Sequence, residues 1–151
     1  MKIGVIADTH GLMRPEALAA LAGCDHLIHA GDIGKPQILD QLRAIAPLSV
    51  VRGNNDRGLP WADELDDHLQ IEVGGLPIYL THELPDVPSP LPGATAVVIT
   101  GHSHKPLIER RGDVLYLNPG SAGPRRFKLP VSVALLEPTP EGPHARLILL
   151  G

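Results

Sequence analysis

The chain has 151 residues, a formal charge of −4, 43% hydrophobic residues and only 3% aromatics. That length suits one domain spanning residues 1–151, and the acidic balance excludes a general nucleic-acid groove, which requires clustered Lys and Arg. No stretch approaches the roughly 18 apolar residues of a membrane span. The apolar run from Ile3 to Ala7 is too short for a signal peptide, and the single cysteine, Cys24, fits a reducing, cytoplasmic setting.

The first half reads as βαβαβ: strand Lys2 to Ala7, helix Pro15 to Leu21, strand His26 to Ala30, helix Pro36 to Ala46 and strand Leu48 to Arg52. Pro15 and Pro36 sit where proline is tolerated, in a first helical turn, and such alternation predicts a parallel sheet. Asp63 to Asp67 is an acidic run, expected as a solvated loop or helix start. The second half changes to short apolar runs at Leu69 to Val73, Pro77 to Thr81, Ala96 to Thr100, Leu107 to Arg110, Val114 to Asn118, Val131 to Leu136 and Arg146 to Leu150. Gly74-Gly75 and Arg111-Gly112-Asp113 look like hairpin turns. Four prolines between Leu84 and Gly93 exclude a regular helix there and predict a stiff extended loop.

Seven residues capable of binding metal follow these strand-like runs: Asp8 and His10, Asp32, Asn54, His82, then His102 and His104. In α/β sheets ligands gather outside the carboxyl ends of strands, where loops converge, so residues from five strand ends can share one pocket. Imidazole, carboxylate and amide oxygen suit a borderline or hard divalent cation. Seven donors exceed what one tetrahedral zinc takes, which points to two metals. His29, three residues before Asp32, points to the opposite face if the strand continues, and is expected to be a supporting or core histidine.

These residues form the series Asp8-Thr9-His10, Gly31-Asp32, Gly53-Asn54-Asn55-Asp56, His82 and Gly101-His102-Ser103-His104, followed by Asn118-Pro119-Gly120-Ser121 with Pro124-Arg125. The series resembles the calcineurin-like metallophosphoesterase superfamily, in particular its small prokaryotic phosphodiesterase branch. The resemblance implies a four-layer α/β/β/α sandwich of two mixed sheets flanked by helices. It also implies one metal held by Asp8, His10, Asp32 and His104, and a second held by Asp32, Asn54, His82 and His102, with Asp32 bridging. Mn²⁺ is the expected ion, although Fe, Co, Ni and Zn also accept N/O ligands. A hydroxide shared by the metals would attack a small phosphodiester in line. Phosphomonoesterase, nucleotide pyrophosphatase and a non-catalytic scaffold are the alternatives, since the superfamily also contains a retromer subunit.

Two positions depart from the pattern. Asn55 stands where phosphomonoesterase relatives carry a His that protonates the leaving group, and an amide is no general acid. Glu83 follows His82 where relatives commonly have Gly, so it either narrows the substrate range or points into solvent. Arg125, in the basic cluster Arg125-Arg126-Phe127-Lys128, is the candidate phosphate clamp. An exposed strand edge would permit a homodimer.

Overall fold

The computed structural model describes residues 1–150. Its first half is β1 (Ile3–Ile6), α1 (Pro15–Leu21), β2 (His26–His29), α2 (Pro36–Arg43) and β3 (Leu48–Val50). Both helices start at the expected prolines. The second helix stops at Arg43, with Ala44 to Ala46 forming a turn before Pro47; proline disfavours helical geometry in the residue preceding it. The remaining strands are β4 (His68–Val73), β5 (Leu76–Thr81), β6 (Val97–Ile99), β7 (Leu107–Arg111), β8 (Val114–Asn118), β9 (Ser132–Thr139) and β10 (Gly142–Leu149).

Two mixed five-stranded sheets result, ordered β10-β9-β1-β2-β3 and β4-β5-β6-β8-β7. In the first, β1, β2 and β3 run parallel and β9 and β10 are antiparallel additions. In the second, Gly74-Gly75 and Arg111 to Asp113 close the expected hairpins, while β5, β6 and β8 are parallel to one another. Alternation sends Ile3, Val5, Ala134 and Leu136 of one sheet against Ile78, Leu80, Val97 and Leu117 of the other, forming the core between them. Ile6, Leu27, Val133 and Leu135 face outward and meet Leu21, Ile38 and Leu42 of the helices, with Cys24 buried among them. Gly4 allows this approach: a Cβ there would lie 2.6 Å from Leu21 and 2.7 Å from Leu27.

The fourth layer is where the architecture is reduced. Both α-helices cover the first sheet, and no α-helix packs on the outer face of the second among the described residues. Tyr79 and Val98 on that face are nevertheless buried. The proline-rich segment opens with a 3-10 turn at Leu84–Asp86, and Asp86 lies close enough to help raise the Tyr79 phenol pKa, after burial. The acidic run is not wholly solvated, since Arg52 Nε donates to Asp67 Oδ1 at 2.7 Å and Arg52 N–H to the Asp66 carbonyl at 2.9 Å. No helix among the described residues is long and apolar enough to cross a membrane.

Candidate metal centre

The parallel arrangement puts the C-terminal ends of β1, β2 and β3 beside those of β5 and β6. Backbone bonds stitch the loops together there: Asp8 N–H donates to the Gly31 carbonyl, His10 N–H to Asp32 and Gly101 N–H to His82. The local backbone is unusual, because Asp8, His10, Asp32, His102 and His104 all hold positive φ, between 46° and 71°. Such conformations cost an L-residue roughly 1–2 kcal/mol and collect where a site over-determines them. They turn five side chains out of strand direction and toward one point.

Two clusters form: Asp8, His10 and His104, with ligand atoms within 4.8 Å of one another, and Asp32, His82 and His102 under the same limit. They meet, since Asp32 Oδ2 lies 3.2 Å from His82 Nε2 and 3.8 Å from His10 Nε2, while Asp8 Oδ1 lies 3.7 Å from His104 Nε2. Three residues of each expected set thus come together, Asp8, His10 and His104 in one cluster and Asp32, His82 and His102 in the other. Asn54 is exposed at the rim. Its neighbour reaches inward instead: Asn55 N–H donates to Asp32 Oδ1 at 2.9 Å and Asn55 Nδ2 to Oδ2 at 3.2 Å. Gly53 permits this crowding, because any Cβ there would collide with Asp32 Oδ1.

The donor set fits metal ions on its own evidence. Asp8 Oδ1, His10 Nε2, His82 Nε2 and His104 Nδ1 are buried with no hydrogen-bond partner, and each such atom costs about 1–3 kcal/mol unless something satisfies it. Four in one place mark atoms held ready for a cation. His82 shows the orientation explicitly: Nδ1 donates to the Ala30 carbonyl at 2.7 Å, leaving Nε2 aimed into the cluster.

The protonation states of the metal-free centre follow from burial and charge. Burial lifts the Asp8 carboxyl to about 7, the charge of Asp32 adding to it against that of His82. Burial alone would lower His82, but the adjacent Asp32 carboxylate, the Ala30 carbonyl and the charge of Asp8 together raise it. Asp32 is held down, because its bonds with His82 and Asn55 outweigh burial. Burial depresses His10, and it depresses His104 to about 4, so both are neutral near pH 7. Metal capture must therefore expel protons from Asp8 and His82. Raised folded-state values give stability that is present at low pH and lost as pH rises from about 4 to 7 for Asp8, whereas metal affinity rises over the same range. Calorimetric Mn²⁺ titration in buffers of different ionisation enthalpy should count more protons released at pH 6 than at pH 8.5, because Asp8 is protonated only at the lower pH; equal counts would contradict it.

Residues outside the two clusters brace them. His29 is fully buried with its pKa pushed down to about 3 by burial. Its Nδ1 accepts from Gly31 N–H at 3.0 Å, so Nε2 donates to Thr9 Oγ1 at 3.0 Å, and Thr9 Oγ1 donates to the Ile33 carbonyl at 2.8 Å. This chain ties the Asp8 loop to the Asp32 loop, the supporting position expected for His29. Asn118 Nδ2 donates to the Gly101 carbonyl and Ser121 Oγ to the Asp8 carbonyl, so the Asn118 to Ser121 element braces two ligand loops. Arg125 and Arg126 line a hollow of about 220 Å³ with His10 and His104. Arg126 acts electrostatically on Asp8, His10 and His104, a role the sequence reading had considered only for Arg125. Glu83 does not simply point into solvent: its Oε1 lies 3.4 Å from His102 Nε2.

The calcineurin-like phosphoesterase superfamily domain matches residues 1–140, and the chain belongs to that family. It is a metal-dependent phosphoesterase. A probable metallophosphoesterase of Methanothermobacter thermautotrophicus is 35% identical over all of this chain and 94% of that protein. A structure described as a novel archaeal phosphodiesterase superposes with a TM-score of 0.79, with 27% identity over 99% of this chain and 100% of the other. Vps29 of Entamoeba histolytica, solved with Zn²⁺, covers 100% of both chains at a TM-score of 0.72 and 24% identity. At that identity the likeness to Vps29 shows the fold alone.

Proposed function

We propose that the chain is a dinuclear phosphodiesterase that uses Mn²⁺ to hydrolyse small phosphodiesters in the cytoplasm, with residues 1–151 acting as one domain. The observation that carries this is the pair of ligand clusters meeting at Asp32, with four buried donor atoms lacking partners. Asp8, His10, Asp32 and His104 would hold one ion, and Asp32, Asn54, His82 and His102 the other. When bound, two such ions lower the pKa of water and neutralise phosphoryl charge. Asp32 fits the shared position because its carboxylate reaches His82 of one set and His10 of the other. Arg125, beside His10 and His104, would hold a phosphoryl oxygen, with Arg126 adding positive charge.

Two features favour a diester over a monoester. Asn55 donates its amide to Asp32 and offers no acidic proton to a leaving alkoxide. Glu83 brings a carboxylate to His102, which opposes the second negative charge of a monoester dianion. A non-catalytic scaffold has no use for four unpartnered polar atoms in its interior. With Mn²⁺, kcat/KM for bis-p-nitrophenyl phosphate should exceed that for p-nitrophenyl phosphate by about 10²-fold, the lower end of what a general acid contributes. Comparable values would remove the diester assignment, and no turnover with any divalent ion would leave only a binding role.

A further inference from the structure

A cavity of about 360 Å³ opens beside His102, adjoining the ligand clusters. Its walls are apolar: Leu84 and Pro85 come from the proline-rich segment, and Pro106 and Leu107 from the start of β7. Thr100 and Lys105 add polar groups to the lining, while the amide and hydroxyl of Asn118 and Ser103 are committed elsewhere. Asn118 donates to the Gly101 carbonyl and to Ser103 Oγ and accepts from Gly120 N–H, while Ser103 Oγ also accepts from Lys105 N–H. Leu84 stands at the lip, 42% exposed. Volumes of this order are those of small-molecule sites, which are mostly apolar with a few polar groups at one end.

The polar end is His102, which belongs both to the cavity wall and to the cluster with Asp32 and His82. A phosphodiester whose phosphorus lies at the clusters would therefore have one ester arm directed along His102 into an apolar slot. Resting on the phosphodiesterase function just proposed, we infer that this cavity is a subsite for a flat, apolar ester arm, such as an aryl ring or a nucleoside base, and that it selects aromatic over small alkyl diesters. The proline-rich segment, which connects β5 to β6, builds one wall of it. Proline rings and leucines offer contact area and no hydrogen bonds, so these walls hold an arm by shape and burial.

The test uses single-arm phosphates, so that it does not matter which arm leaves. Phenyl phosphate, thymidine 5′-phosphate and methyl phosphate are titrated calorimetrically into the Mn²⁺-loaded protein and run as inhibitors of bis-p-nitrophenyl phosphate hydrolysis. The two aromatic phosphates should bind at least about tenfold more tightly than methyl phosphate, the lower end of what an apolar pocket discriminates. Leu84→Ser and Leu107→Ser should each narrow that gap, and tight phenyl phosphate without tight thymidine 5′-phosphate identifies the arm as an aryl ester. Equal affinities for all three, or a gap untouched by both variants, overturns the subsite. Absence of Mn²⁺-dependent diester turnover overturns the phosphodiesterase function instead, and the calorimetric comparison still decides the subsite.

Discussion

Asp32→Asn is expected to lower kcat/KM for bis-p-nitrophenyl phosphate by about 10³-fold or more while leaving the fold intact. The fold should survive for two local reasons. Asp32 holds φ +57°, a conformation that Asn tolerates better than most residues. The amide oxygen of Asn can still accept the Asn55 N–H that now reaches Oδ1, and its amino group can face the unprotonated His82 Nε2. What disappears is a carboxylate that lies 3.2 Å from His82 of one set and 3.8 Å from His10 of the other. Metal binding reports this independently of turnover. Mn²⁺ at a hundred times its Kd should stabilise the wild type by about 2.7 kcal/mol. For a chain of this size that corresponds to a melting-temperature rise of about 5–10 °C. The metal-free variant should melt within a few degrees of the metal-free wild type and show little of that rise. Retention of both the rise and the activity would remove Asp32 from the shared position.

The gathering of Asp8, His10, Asp32, His82, His102 and His104 was legible because each follows an apolar run, and strand ends are where sheets deliver side chains to a common crevice. Pro15 and Pro36 marked both helix starts correctly, and Gly74-Gly75 and Gly112 marked the hairpins. The parallel pairing of β5, β6 and β8 was not legible. A parallel crossover normally carries a helix, whereas here the connection from β5 to β6 is a proline-rich loop whose composition says only that it is irregular. The positive φ of Asp8, His10, Asp32, His102 and His104 was equally invisible, since glycine is the usual sign of such geometry and none of these five is glycine. Arg126 and Arg125 are neighbours in one basic cluster, and only the path of the loop shows that the charge of Arg126 is felt by Asp8, His10 and His104. Asn55 was identified as a missing acid, but its grip on Asp32 depends on the turn that brings residue 55 back across Gly53.

Asp56→Ala should cost the metal-free protein about 3–5 kcal/mol, the largest stability effect expected of any single polar substitution near the centre. Asp56 is 0% exposed and takes no place in either ligand cluster. Its carboxylate accepts from three backbone N–H groups: Ile33 at 3.1 and 3.0 Å, Gly34 at 3.1 Å and Gly53 at 2.9 Å. One side chain thus clamps the turn after β2, which carries Asp32, to the turn after β3, which carries Asn54. Alanine would leave three N–H donors without their acceptor in a place with little room for water, at about 1–3 kcal/mol each before relaxation. Against a typical total stability of about 5–15 kcal/mol this is a large fraction, and the midpoint in urea should fall with an unchanged slope. Asp56→Asn keeps one acceptor oxygen and should lie between alanine and wild type. Because Asp32 and Asn54 ride on the clamped turns, Mn²⁺ affinity should fall in the same order, by about 10–100-fold for a supporting residue. An alanine variant within about 1 kcal/mol of wild type would show that the two turns hold their geometry without the clamp.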